Sequence, residues 1–149
     1  MKLTVVVKEP NKPAARHTVQ VKESVLDTVQ KLVGGGKNAY VEQIGIGPRV
    51  NILVDEDGLA KELPDNCGYV GNLVFVQDVF ISDEEGYDWG SLDESNIRKV
   101  LAWCVKHAGE AHPNRDGMPR IITDPKQIEE HHRRLKADAQ AKLVEWESL

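Results

Sequence analysis

The sequence predicts an α+β domain. We expect a mostly antiparallel sheet of about five strands with one packed helix, followed by two C-terminal helices. Three observations carry this. Short runs of alternating apolar and polar residues lie on both sides of one amphipathic helix. That helix is stopped by Gly34-Gly35-Gly36, and a strand pattern follows at once. Beyond Ser82 the chain turns acidic and then takes up helical periodicity. The division expected is a core over residues 1–80 and an acidic loop with a helical extension over 81–149, packed on the core or on a second subunit.

Taken in order, Leu3, Val5 and Val7 alternate with Thr4 and Lys8 and predict the first strand. Glu9-Pro10-Asn11-Lys12-Pro13 is a turn, since proline fixes φ and removes a ladder donor. His17, Val19 and Val21 form a second strand that closes an antiparallel hairpin. Ser24 caps a helix whose apolar face is Val25, Val29, Leu32 and Val33. Residues 38–44 read as a strand, Gly45-Ile46-Gly47-Pro48 as a turn, and Val50 to Val54 as a strand ending at Asp55-Glu56-Asp57-Gly58. A short helical turn is expected over Leu59 to Asn66. Leu73-Val74-Phe75-Val76 suits a central strand covered on both faces.

The acidic run Asp83 to Glu94 reads as a loop, with Ser91 and Glu94 at capping-box spacing. Ile97, Val100, Leu101, Cys104, Val105 and Ala108 trace the buried stripe of the helix that follows. A loop spans 109–123, with a turn at Asn114-Arg115-Asp116-Gly117. Asp124-Pro125 starts the last helix. Its expected packing face includes Ile128, Leu135, Leu143 and Trp146.

Composition narrows the function classes. The chain has 149 residues, 40% hydrophobic, with 24 acidic against 19 basic side chains and a net charge of −5. Nucleic acid is thereby an unlikely partner, because phosphate neutralisation needs clustered cations. No segment approaches the roughly 20 apolar residues of a membrane helix. Two cysteines, Cys67 and Cys104, do not make a disulfide framework. These features together read as a cytoplasmic protein without a membrane partner.

Several motifs resolve into structural readings. Gly-Gly-Gly-Lys at 34–37 is not a phosphate loop: Lys31 and Asn38 stand where glycine and Ser/Thr are required, and the glycines follow a helix instead of preceding one. The Asp55–Gly58 turn lacks the calcium-loop ladder. Cys104, His107 and His112 are loosely spaced like metal ligands, but Cys104 sits on an apolar stripe and reads as a core cysteine. No catalytic residue, metal ligand or cofactor is predicted. Ser24, Ser82, Ser91 and Ser95 lie in no nucleophile elbow.

A wider pattern joins these pieces. It comprises the EPNKP turn, the helix ending Leu32-Val33-Gly34-Gly35, the strand Tyr40-Val41-Glu42, the Asp55-Glu56-Asp57-Gly58-Leu59 turn, Leu63-Pro64-Asp65-Asn66, and Val70-Gly71-Asn72-Leu73-Val74-Phe75-Val76. Over about residues 1–80 the chain resembles a family of small proteins carried by bacteriophages and bacteria and catalogued as a domain of unknown function. It departs from the pattern by the extra Gly36 and the Lys37-Asn38 insertion. The resemblance implies a phage or mobile-element accessory protein in a bacterial host's cytoplasm, and transfers no catalytic residues.

The expected function is therefore a non-enzymatic binder that modulates a host process, host defence above all. It would grip a host protein or sequester an anionic nucleotide. The alternatives are a nucleotide- or nucleic-acid-processing enzyme and a phage DNA-metabolism accessory protein. For an anionic nucleotide the candidate contacts are the amides of Gly35 and Gly36 with Lys37, the ring of Tyr40, and Arg49, Arg133 and Arg134. So few cations per chain point to a pocket shared between subunits, with the last helix as the homo-oligomer contact. For a host protein the candidate is the acidic loop around Tyr87 and Trp89.

Overall fold

The computed structural model describes residues 1–114 and 123–149. The predicted turn at 114–117 and most of the 109–123 loop lie outside the described residues.

Strands β1 (Lys2–Lys8) and β2 (Ala15–Gln20) form the expected antiparallel hairpin, with Leu3 opposite Val19. Helix α1 (Val25–Leu32) is capped by Ser24, whose hydroxyl accepts from the Asp27 amide at 3.0 Å. It ends where Gly34 takes φ +95°, a conformation open to glycine at little cost. A 3₁₀ turn (Gly36–Asn38) then leads to β3 (Val41–Gly47), which pairs with β4 (Val50–Asp55).

β3 starts later and runs further than its sequence indicates. The Gly45–Pro48 segment is not a turn: the strand continues through a bulge between Gly45 and Gly47, and Ile46 is buried. The turn lies at Pro48-Arg49, where Arg49 takes φ +61°. The helical turn expected before Asn66 gives way to a chain of turns and a small hairpin, β5 (Asp65–Asn66) and β6 (Tyr69–Val70).

β7 (Leu73–Ser82) is the long central strand. The acidic segment expected as a loop is instead half of a hairpin: β8 (Gly86–Gly90) pairs with the outer part of β7 through a turn at Gly86, φ +70°. The antiparallel sheet therefore has six strands, in the order β2-β1-β7-β4-β3 with β8 on β7.

The sheet buries both faces, and the pleat divides its residues between them. Leu3, Val5, Val7, Leu53, Val74 and Val76 point to α1, where they meet Val29 and Val33. Val6, Ile52, Leu73 and Phe75 point the other way, toward α2 (Glu94–Lys106) and the end of α3 (Pro125–Ser148). This explains why Val6 breaks the alternation of β1.

Two further expectations are corrected, and the α3 face is located on this chain. The α2 cap is Asp93, which accepts from the Asn96 amide at 2.8 Å; the Ser91 hydroxyl accepts from the Thr4 amide instead. The buried stripe of α2 is Ile97, Val100, Trp103 and Cys104, while Val105 is 79% exposed. On this chain only Trp146 of the expected α3 face is buried; Ile128, Leu135 and Leu143 are exposed. No helix among the described residues is long and apolar enough to cross a membrane.

Candidate functional site

The β5–β6 hairpin, the end of β1 and the C-terminal half of α2 meet around Lys8. β1 places Lys8 on the same face as Val6, and it is only 9% exposed. Its ammonium donates to the Glu9 carbonyl at 2.8 Å and to Asn66 Oδ1 at 3.1 Å. Buried Asn66 returns the contact: its amide donates to the carbonyls of Lys8 and Gly71, each at 2.7 Å. An ammonium has three donors. Two are used here, and among the described residues no carboxylate forms an ion pair with Lys8.

Lys8 lies on the floor of a groove of about 590 Å³. The walls are Pro13 and Ala14 on one side and Leu101, Val105 and Ala108 of α2 on the other. Asn11, Lys12, Asp65 and Glu110 add polar groups to its lining. The floor also carries Cys67 and Cys104.

Cys67 and Gly68 form the two-residue tip of the β5–β6 hairpin, with φ +51° and +86°. Glycine suits such a turn, whereas a Cβ in this region costs about 1–2 kcal/mol. The tip is held against α2 and the segment after it: the Gly68 amide donates to the Glu110 carbonyl at 2.9 Å, and Cys67 Sγ lies 3.6 Å from the Cys104 carbonyl oxygen, to which its S–H donates. A hydrogen bond from the Cys104 thiol brings the Cys67 thiol down to about 7, overcoming burial, with help from the Lys8 ammonium. The carbonyl contact belongs to the protonated Cys67. Once Cys67 ionises, the Cys104 S–H is the donor that stabilises it. Cys104 is pushed up by the same hydrogen bond and by burial.

Across the hairpin tip lies a second cavity of about 350 Å³, lined by Tyr69, Trp103, His107, Glu110 and Glu145. Tyr69 stacks on Trp103 with ring centres 6.4 Å apart, and His107 lies 4.4 Å from Trp103. Both imidazole nitrogens of His107 meet carboxylates, Nδ1 that of Glu110 and Nε2 that of Glu145. Burial alone would lower the His107 pKa; the two carboxylates outweigh it and raise it. The Glu145 contact ties the last turn of α3 to α2. Trp146 seals the joint: its ring fills the space above Gly47, where a Cβ would lie 2.3 Å from the indole, and Lys99 donates to its carbonyl at 3.1 Å.

The residues expected to bind a nucleotide are distributed over the molecule. Lys37 and Tyr40 share a shallow hollow with Leu26, Gln30 and Trp89, on the α1 side of the sheet. Gly35 and Gly36 stand beside it, and local packing accounts for Gly35, where a Cβ would lie 2.5 Å from that of Ala39. Arg49 is at the far end of β3, its guanidinium 5.6 Å from the Tyr87 ring centre. Arg133 and Arg134 lie on exposed turns of α3, paired with Glu129 and Glu130 at 4.0 and 3.0 Å. One chain thus gathers the glycines, Lys37 and Tyr40, and leaves the three arginines apart.

Cys104, His107 and His112 do not converge. Cys104 is in the core beside Cys67, and the His112 Nδ1 accepts from the Asn114 amide. Among the described residues no His, Cys, Asp and Glu side chains group as a metal site requires. The sequence reading missed Lys8, Asn66, Cys67 and Glu145. A signal for Lys8 existed: its parity with Val6 places it on a covered face.

The sequence profile of a family described as domain of unknown function, DUF3846, matches residues 1–104. The chain belongs to this family. The match runs past residue 80, through β8 and α2 to Cys104, so every residue on the groove floor is within it. No curated protein and no solved structure matches the chain.

Proposed function

We propose that this DUF3846 protein is a non-enzymatic binder of a small anion with an apolar body, held in the α2 groove with its anionic head on Lys8. The observation that carries this is the buried Lys8 ammonium, which among the described residues uses two of its three donors and opens onto a largely apolar groove. A volume of about 590 Å³ falls within the range of small-molecule sites.

The walls narrow the ligand class. Apart from Asn11 and Lys12 they are aliphatic, and among the described residues they offer no aromatic face for a base. The groove presents a single buried ammonium, Lys8, which one carboxylate head satisfies. An aliphatic carboxylate fits these terms better than a nucleotide. In the phage or bacterial setting that the resemblance implies, such a protein acts by sequestration in the host cytoplasm and returns its ligand unchanged.

Titration calorimetry with decanoate and with AMP tests this. Decanoate binds and AMP does not. Lys8→Met removes a charge-assisted hydrogen bond worth about 1.5–3 kcal/mol, a loss of about tenfold or more in affinity. Val105→Asp, on the exposed wall, weakens decanoate binding without touching the Lys8–Asn66 contacts. No heat with decanoate, or equal affinity in both variants, overturns the reading.

A further inference from the structure

We infer that Cys67 and Cys104 form an oxidisable dithiol, which a hydroperoxide entering the α2 groove converts to a disulfide between the hairpin tip and the helix. The pair stands whether or not the groove takes a carboxylate.

Position comes first. The two cysteines stand 37 residues apart in the chain, yet Cys67 Sγ is 3.6 Å from the Cys104 carbonyl oxygen, to which its S–H donates. Both are shielded from bulk water, at 4% and 3% exposure, and both line the same groove. A peroxide-sized molecule reaches them there, and a second protein's thiol does not.

Reactivity differs between the two. The thiolate is the nucleophile, and its formation is favoured beside cationic groups. Cys67 faces the Lys8 ammonium and the Cys104 S–H, with His107 beyond and Glu110 opposing. Cys104 is held protonated. Cys67 is thus the attacking sulfur and Cys104 the resolving one. Cys67 also occupies a left-handed turn position that disfavours any side chain with a Cβ.

The steps balance. The Cys67 thiolate attacks one peroxide oxygen; an S–O bond forms, the O–O bond breaks, and hydroxide leaves to take up the proton Cys67 lost. Cys104 then attacks the Cys67 sulfur; the S–S bond forms, the S–O bond breaks, and a second water leaves with the Cys104 proton. Two thiols are oxidised and one hydrogen peroxide is reduced to two waters.

The test treats the native protein with hydrogen peroxide and follows its intact mass. The wild type loses about 2 Da as a monomer, and dithiothreitol restores it. Cys104→Ser stops at a Cys67 sulfenic acid, gaining about 16 Da and capturing dimedone. Cys67→Ser stays unmodified over the same time. The wild-type rate rises about tenfold from about pH 6 to about pH 8, following the Cys67 thiolate. A wild-type mass that does not change natively, under peroxide that oxidises the urea-unfolded chain, overturns the inference. So does a Cys67→Ser protein that reacts as fast as the wild type.

Discussion

Replacing Gly47 by alanine tests how the last helix is fastened. Gly47 is not among the glycines with positive φ, so alanine meets no backbone penalty there. The whole effect comes from the added methyl. Its carbon would lie 2.3 Å from the Trp146 ring, where carbon atoms normally settle at about 3.5–4.0 Å. The indole must retreat by over an ångström, but Trp146 is 4% exposed and packed among Ile46, Val50 and Trp103. Overpacking a tight core costs about 1–3 kcal/mol. Full ejection of an indole that buries about 150–250 Å² costs about 4–6 kcal/mol at about 25 cal/mol per Å², an upper bound. We expect Gly47→Ala to lose about 2–4 kcal/mol in urea unfolding followed by circular dichroism, with faster cleavage in α3 by a dilute protease. Trp146→Ala provides the control. In that background the clash has no partner, so Gly47→Ala then costs under about 0.5 kcal/mol. Equal cost in both backgrounds, or an unchanged wild-type stability, would refute this account of the joint.

Three other outcomes follow from the same geometry. His107 has a raised pKa, so its contacts with Glu145 and Glu110 contribute stability that is complete below its unfolded value of about 6.5 and is lost as pH rises through the folded one; melting curves of wild type and His107→Gln should converge at alkaline pH and diverge in acid. Asn66→Ala strips partners from Lys8 and from two buried carbonyls, and should cost about 2–4 kcal/mol by chemical denaturation. Asp93→Ala removes the α2 cap and should cost about 1 kcal/mol in the same assay, while Ser91→Ala leaves the cap intact.

What the sequence reveals about this fold depends on the range of each signal. β1, β2, α1, β4 and the first half of β7 announce themselves because one face of each is apolar within a few residues. β8 does not. Its acids and glycines read as a loop, and only the hairpin with β7 makes Gly86 to Gly90 a strand; Tyr87 and Trp89 are the strand-forming residues that hinted at it. The α2 stripe is misphased for a related reason. Two helical lines share Ile97, Val100 and Cys104, and the one with Trp103 wins because an indole buries far more area than Leu101. In α3 the buried residue on this chain, Trp146, lies in the last turn, and spacing alone does not say which turn docks. The candidate site was almost illegible. Lys8 meets Asn66 across 58 residues, Cys67 meets Cys104 across 37, and His107 meets Glu145 across 38. No local period encodes such meetings.

The central place of β7 bears on how the chain acquires its shape. β1 leaves the N-terminus as an early strand, yet its inner neighbour is β7: Val6 lies opposite Phe75. β4 likewise waits for β7, with Ile52 opposite the same phenylalanine. Until residues 73–77 emerge from the ribosome, the β1–β2 and β3–β4 hairpins exist as two separate pieces, and each leaves open the inner edge, of β1 or of β4, that β7 later covers. Closing them requires a long excursion of chain before any contact rewards it, which slows folding. The nascent protein therefore passes through an interval in which these two inner edges, besides the outer edges of β2 and β3, invite pairing with other chains. Arrival of a ten-residue strand in their midst ends that interval at a single stroke.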